Sequence, residues 1–81
     1  MRVLYFGASW CLQTRQLGEV FSKMTDLPAE VIAIDVDDAS EVAIRYGIRG
    51  VPTMVVVDDE GKEVRRKVGM MSEAELRVLI S

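Results

Sequence analysis

"RVLYFGA" (Arg2 to Ala8), running on into "SWCLQTRQL" (Ser9 to Leu17), decides the fold. The first part is a short apolar run, rich in β-forming residues and closed by Gly7, which is the pattern of a buried strand. The second part opens a helical pattern. Leu17, Val20, Phe21 and Met24 recur at helical spacing and make one apolar stripe. The spacing predicts a helix that starts near Trp10 and ends before Pro28, because that proline disfavours the α conformation for Leu27. "EVIAIDV" (Glu30 to Val36) is a second apolar run and reads as a second buried strand. Strand, helix, strand is a βαβ unit, so the two strands are expected to lie parallel, joined by a right-handed crossover.

Beyond this unit, "SEVAIRYG" (Ser40 to Gly47) reads as a short helix with Ser40 as N-cap and Gly47 just past its end. In "PTMVVVDDEGKEVRRKVG" (Pro52 to Gly69), "TMVVV" is a buried strand, "DDEG" a turn and "KEVRRKV" a polar strand suited to a sheet edge. The chain closes with a capping box, Ser72 to Glu75, followed by a stripe of Leu76, Leu79 and Ile80. The expected order is β-α-β-α-β-β-α, an α/β domain over residues 1–81 with one four-stranded mixed sheet flanked by helices.

Composition narrows the function. Eighty-one residues make one domain, and 49% hydrophobic with 28% charged residues is ordinary for a globular one. The net charge of −3 and the single basic cluster Arg65 to Lys67, which suits a solvated strand, argue against a nucleic-acid partner. No apolar run reaches the roughly 18 residues of a membrane span, and no signal peptide precedes the first strand. With no histidine, imidazole-based zinc sites and Cys–His or Ser–His catalytic pairs are excluded. No metal, nucleotide or flavin site is expected, since the glycines lie at turns and no phosphate loop occurs. One cysteine, Cys11, permits no internal disulfide and suits a reducing compartment such as the cytoplasm.

Cys11 lies where the first strand hands over to its helix, and in open α/β sheets ligands and chemistry collect there. A helix start favours a thiolate through its unpaired N–H groups and its macrodipole, and Thr14, one turn on, can offer a hydroxyl to the same sulfur. The gain is modest. A helix start that takes a thiol from pKa about 8.5 to about 7 raises the thiolate fraction at neutral pH about 16-fold, and the lower nucleophilicity takes back about 5-fold. The net is about 3-fold, so most of any advantage must come from holding a partner sulfur in line. Read from residue type alone, Cys11 is equally an ordinary small buried hydrophobe.

Two stretches carry a resemblance. "FGASWC" followed by "LQT" (Phe6 to Thr14) resembles the active-site segment of the thioredoxin family, in which a Trp precedes a Cys-x-x-Cys. "YGIRGVPT" (Tyr46 to Thr53) is similar to the thioredoxin segment that ends in the cis-proline, and "GKEVRRKVGMMSEAEL" (Gly61 to Leu76) to the family's closing hairpin and helix. The resemblance implies a minimal thioredoxin fold. It implies that Cys11 is the nucleophile toward a client disulfide, and that Pro52 is cis, with the Val51 and Thr53 backbone beside the sulfur for pairing with an extended client. Trp10, Val51, Gly69 and Met70 would form the apolar rim on which clients rest.

Four departures qualify this resemblance. Thr14 stands where the resolving cysteine would be. Tyr5 stands where thioredoxins usually bury an Asp, and Ala33 where they bury its Lys partner. The chain begins directly at the strand before Cys11, without the family's usual extra strand and helix. A dithiol–disulfide cycle is therefore closed to this chain, and a mixed disulfide on Cys11 would wait for an external thiol. Three readings stand: a single-cysteine thiol–disulfide oxidoreductase acting on protein clients or glutathione; a dithiol thioredoxin whose resolving cysteine has been replaced by Thr14; and a redox-inert binding module. No cofactor is called for. The expected state is a monomer, with a dimer through Cys11 permitted.

Overall fold

The computed structural model describes residues 1–81. Its elements follow the expected order: β1 (Arg2–Gly7), α1 (Leu12–Ser22), β2 (Glu30–Asp35), α2 (Ser40–Arg45), β3 (Thr53–Val57), β4 (Glu63–Val68) and α3 (Glu73–Ile80). The strands form one mixed sheet in the order β2-β1-β3-β4. β1 and β2 run parallel, from Arg2 opposite Glu30 to Gly7 opposite Asp35. β3 lies antiparallel to β1, and β4 antiparallel to β3.

The alternation of strand side chains sorts the core into two halves. Val3 and Tyr5 of β1 and Met54 and Val56 of β3 share one face with Leu17 of α1, Met24 just beyond it, and Leu76, Leu79 and Ile80 of α3. Leu4, Phe6, Val55 and Val57 share the other face with Ala43 of α2. Burying a side chain such as Leu17 or Phe6 stabilises by about 1.5–3 kcal/mol each, so β1 and β3, buried on both faces, anchor the domain.

Three expectations are corrected. β2 is not a fully buried strand but an edge, with Val31, Ile32 and Ile34 only half-buried. Its apolar run reflects the two faces it covers, and run length carries no information about an open side. α1 begins near Trp10 as expected, at Leu12 with Cys11 as N-cap, but its end is not set by Pro28. It ends at Ser22, where Lys23 N–H donates to the Val20 carbonyl (3.2 Å) and Met24 N–H to that of Phe21 (3.0 Å). These tight turns stop the helix well before Pro28, and Met24 still completes the buried stripe. Ser40 is the first residue of α2 rather than its cap; Ala39 holds that position and offers no side chain to the helix.

The other end signals hold. Gly47, with φ +65°, follows α2. The Ser72 hydroxyl accepts the Glu75 N–H and the Glu75 carboxylate accepts the Ser72 N–H, both at 3.1 Å, which closes the capping box of α3. The basic cluster is occupied within the fold. Arg65 donates to the Leu79 and Ser81 carbonyls, Arg66 pairs with Glu63, and Lys67 pairs with Glu75. No helix is long and apolar enough to cross a membrane.

Candidate functional site

β1 ends at Gly7, and the chain turns through Ala8, Ser9 and Trp10 before α1 begins. Cys11 N–H donates to the Ala8 carbonyl at 3.0 Å, which closes this turn and fixes Cys11 at the N-cap in extended conformation (φ −93°, ψ 116°). The residue is half-buried. Its Sγ lies 3.9 Å from the Val51 carbonyl oxygen, forty residues along the chain.

The Cys11 side chain makes no capping hydrogen bond. The Thr14 hydroxyl first, then the backbone of Thr14 and Gln13, lower its pKa below the ordinary thiol value, against a smaller cost of desolvation. The Thr14 oxygen already accepts the Ala8 N–H at 3.3 Å, which leaves its single proton for another acceptor. Gly7 makes room for Thr14: a Cβ on Gly7 would collide with the Thr14 methyl.

Pro52 is buried, and the Val51–Pro52 peptide is cis. The Pro52 carbonyl accepts the Gly69 N–H at 2.8 Å, which ties the end of β4 to the loop beside the sulfur. Gly69 has φ +93°, a conformation that a side chain would strain. Trp10 and Val51 line a shallow cleft of about 170 Å³ with Val36, Ile48, Arg49 and Gly50. Trp10 is 69% exposed, so it serves no core, and its indole Nε1–H donates to Asp37 at 2.9 Å.

The structure thus gathers Cys11, Thr14 and Val51 around the sulfur, with Trp10 beside Val51 and Gly69 on Pro52. Thr53 is buried; its hydroxyl donates to the Gly50 carbonyl at 2.6 Å, so its side chain shapes the loop rather than facing outward. Met70 is exposed next to Gly69, with no contact that brings it to the sulfur. Asp37 escaped the sequence reading, because its bond to Trp10 joins two loops twenty-seven residues apart and neither residue type announces it.

An α/β sheet with helices on both faces, a cysteine capping the helix after its first strand and a proline loop against the sulfur define a thiol protein of the thioredoxin class. The model of the thioredoxin-like domain family matches residues 2–81, and the chain belongs to the thioredoxin family. It is 31% identical over 80 residues to the thioredoxin of Mycoplasmoides gallisepticum, covering 96% of this chain and 79% of that one. It is 29% identical to a rice protein called thioredoxin-like protein CXXS1, of which it covers 59%. Among solved structures, a mutant thioredoxin of Halobacterium salinarum NRC-1 superposes with a TM-score of 0.83 at 40% identity, covering 96% of this chain and 69% of that one.

Proposed function

We propose that this chain is a thiol–disulfide oxidoreductase that works through the single sulfur of Cys11. The observation that carries the reading is the sulfur's setting: a half-buried residue at the N-cap of α1, its Sγ 3.9 Å from the Val51 carbonyl, with its pKa lowered first by the Thr14 hydroxyl. The Cys11 thiolate attacks one sulfur of a client disulfide. A new S–S bond forms to Cys11, the old S–S bond breaks, and the other client sulfur leaves as thiolate. No second cysteine stands in the chain to reverse this, so a second thiol, from glutathione or another client, attacks the mixed disulfide and releases Cys11.

Protein clients would lie across the cleft between Trp10 and Val51, with Gly69 and Met70 as the opposite rim and the backbone at Val51 and Thr53 beside the sulfur. The reading places the chain in a reducing compartment, the cytoplasm, working as a monomer. Two copies join when the Cys11 thiolate of one attacks a mixed disulfide on Cys11 of the other: the Cys11–Cys11 bond forms, the mixed disulfide breaks, and the small thiol leaves as thiolate. The test is the rate of Cys11 alkylation against pH in native and unfolded chains. The reading expects the native thiol to react readily and to titrate below the unfolded one. A native thiol that stays silent until unfolding would overturn it and leave the cleft as a binding surface only.

A further inference from the structure

We propose that Tyr5 is a positioning residue that fixes Thr14, and through Thr14 the polar setting of Cys11. The inference rests on the single-cysteine reading of the site. Tyr5 sits in the middle of β1, directly opposite Ala33 of β2. Its ring packs against Phe21 of α1 with centroids 5.3 Å apart, which holds the phenol beneath the first turns of that helix. The hydroxyl donates to the Thr14 carbonyl. That carbonyl is the one the Gly18 N–H serves in a regular helix, so the phenol joins it from outside the helix. A Cβ on Gly18 would meet the hydroxyl at 3.9 Å, an ordinary contact, so the ring lies directly against the helix backbone.

Thr14 is consequently gripped from two sides. Ala8 N–H holds its hydroxyl, Tyr5 holds its carbonyl, and Gly7 gives its methyl space. Such a grip matters because a hydroxyl that serves a thiolate must be aimed before the charge forms. The phenol itself stays neutral: burial, and secondarily the nearby Cys11 charge, push its pKa up, against the Gly18 N–H. It therefore acts as a fixed dipole, not as an acid. The small Ala33 leaves an open cleft of about 290 Å³ alongside, lined by Tyr5, Thr14 and Asp35, so nothing on that side supports Thr14 in place of Tyr5. Asp35 is the other ionisable group on the cleft, and its carboxylate is occupied by the Asp37 N–H at 2.8 Å.

The test is the thiolate absorbance of Cys11 against pH in wild type, Tyr5→Phe, Thr14→Val and the double variant, with circular dichroism to verify folding. Tyr5→Phe keeps the ring on Phe21 and removes only the hydroxyl; Tyr5→Met, a flexible filler without one, gives the same reading if the phenylalanine ring packs poorly. The expected result is an upward shift of the Cys11 midpoint on the order of half a unit in Tyr5→Phe, and a clearly smaller one when Thr14 is already valine. Equal midpoints in wild type and Tyr5→Phe, or the same shift with and without the Thr14 hydroxyl, would overturn the proposal. A wild-type thiol that titrates at the ordinary value would overturn the single-cysteine reading as well, which separates the two failures.

Discussion

At the scale of residues, the chemistry turns on Thr14. A hydroxyl and a thiol at this position differ in what they can do after a mixed disulfide has formed. The hydroxyl can stabilise a thiolate on Cys11 but cannot displace it from a partner. Thr14→Val should therefore raise the Cys11 midpoint, since the Thr14 hydroxyl is the largest influence that lowers it. Thr14→Cys should do something different in kind: the new thiol attacks the mixed disulfide on Cys11, the partner leaves as thiol, and an internal disulfide forms, read as an intact mass two hydrogens below that of the reduced chain. Gly7→Ala should both destabilise the fold, by about 1–3 kcal/mol from overpacking against Thr14, and raise the Cys11 midpoint; chemical denaturation and thiol titration read the two effects. The pieces of this site were legible as residue types at helix and loop positions. Their mutual grip was not. The bond from Tyr5 to Thr14 needs β1 stacked beneath α1, and nothing in the local sequence of either residue states that packing.

At the scale of elements, the alternating and helical patterns carried the order of strands and helices because each buries a face, and burial writes a period into sequence. Edges and ends were written less plainly. β2 looked interior because Val31, Ile32 and Ile34 cover both faces, although one side of the strand has no neighbour. α1 stopped at Ser22 by its own tight turns, so the proline further on decided nothing. α3 is the opposite case, where the capping box was visible and formed. Ser72→Ala should cost about 1 kcal/mol in denaturant unfolding, the usual worth of such a cap. The same motif sets a pH dependence. Glu75 is held at a pKa of about 2, below its ordinary 4.5, by Lys67 first and then by the Ser72 N–H and hydroxyl. A carboxyl with a lowered folded pKa stabilises fully above its unfolded pKa and loses that contribution as pH falls toward the folded one. Melting temperatures should drop between pH 4.5 and about 2, and Glu75→Gln should flatten that part of the acid limb.

At the scale of the whole molecule, the sheet serves as a frame that brings two distant loops to one sulfur. The turn after β1 supplies Cys11, and the segment before β3 supplies Val51 and Pro52; β1 and β3 are sheet neighbours, so the loops meet because the strands do. The same frame recurs in structures such as the halobacterial thioredoxin, of whose chain this one covers 69%. This chain carries one cysteine, Cys11, and the measurement that most directly tests its proposed role is a time course of intact mass with glutathione disulfide. The account predicts one glutathione on Cys11, added faster to the folded chain than to the unfolded one, stable on its own and removed by added reduced glutathione. Cys11→Ser should remain unmodified. A folded chain that takes up glutathione no faster than the unfolded one, or not at all, would contradict the account and leave Cys11 without a role in exchange.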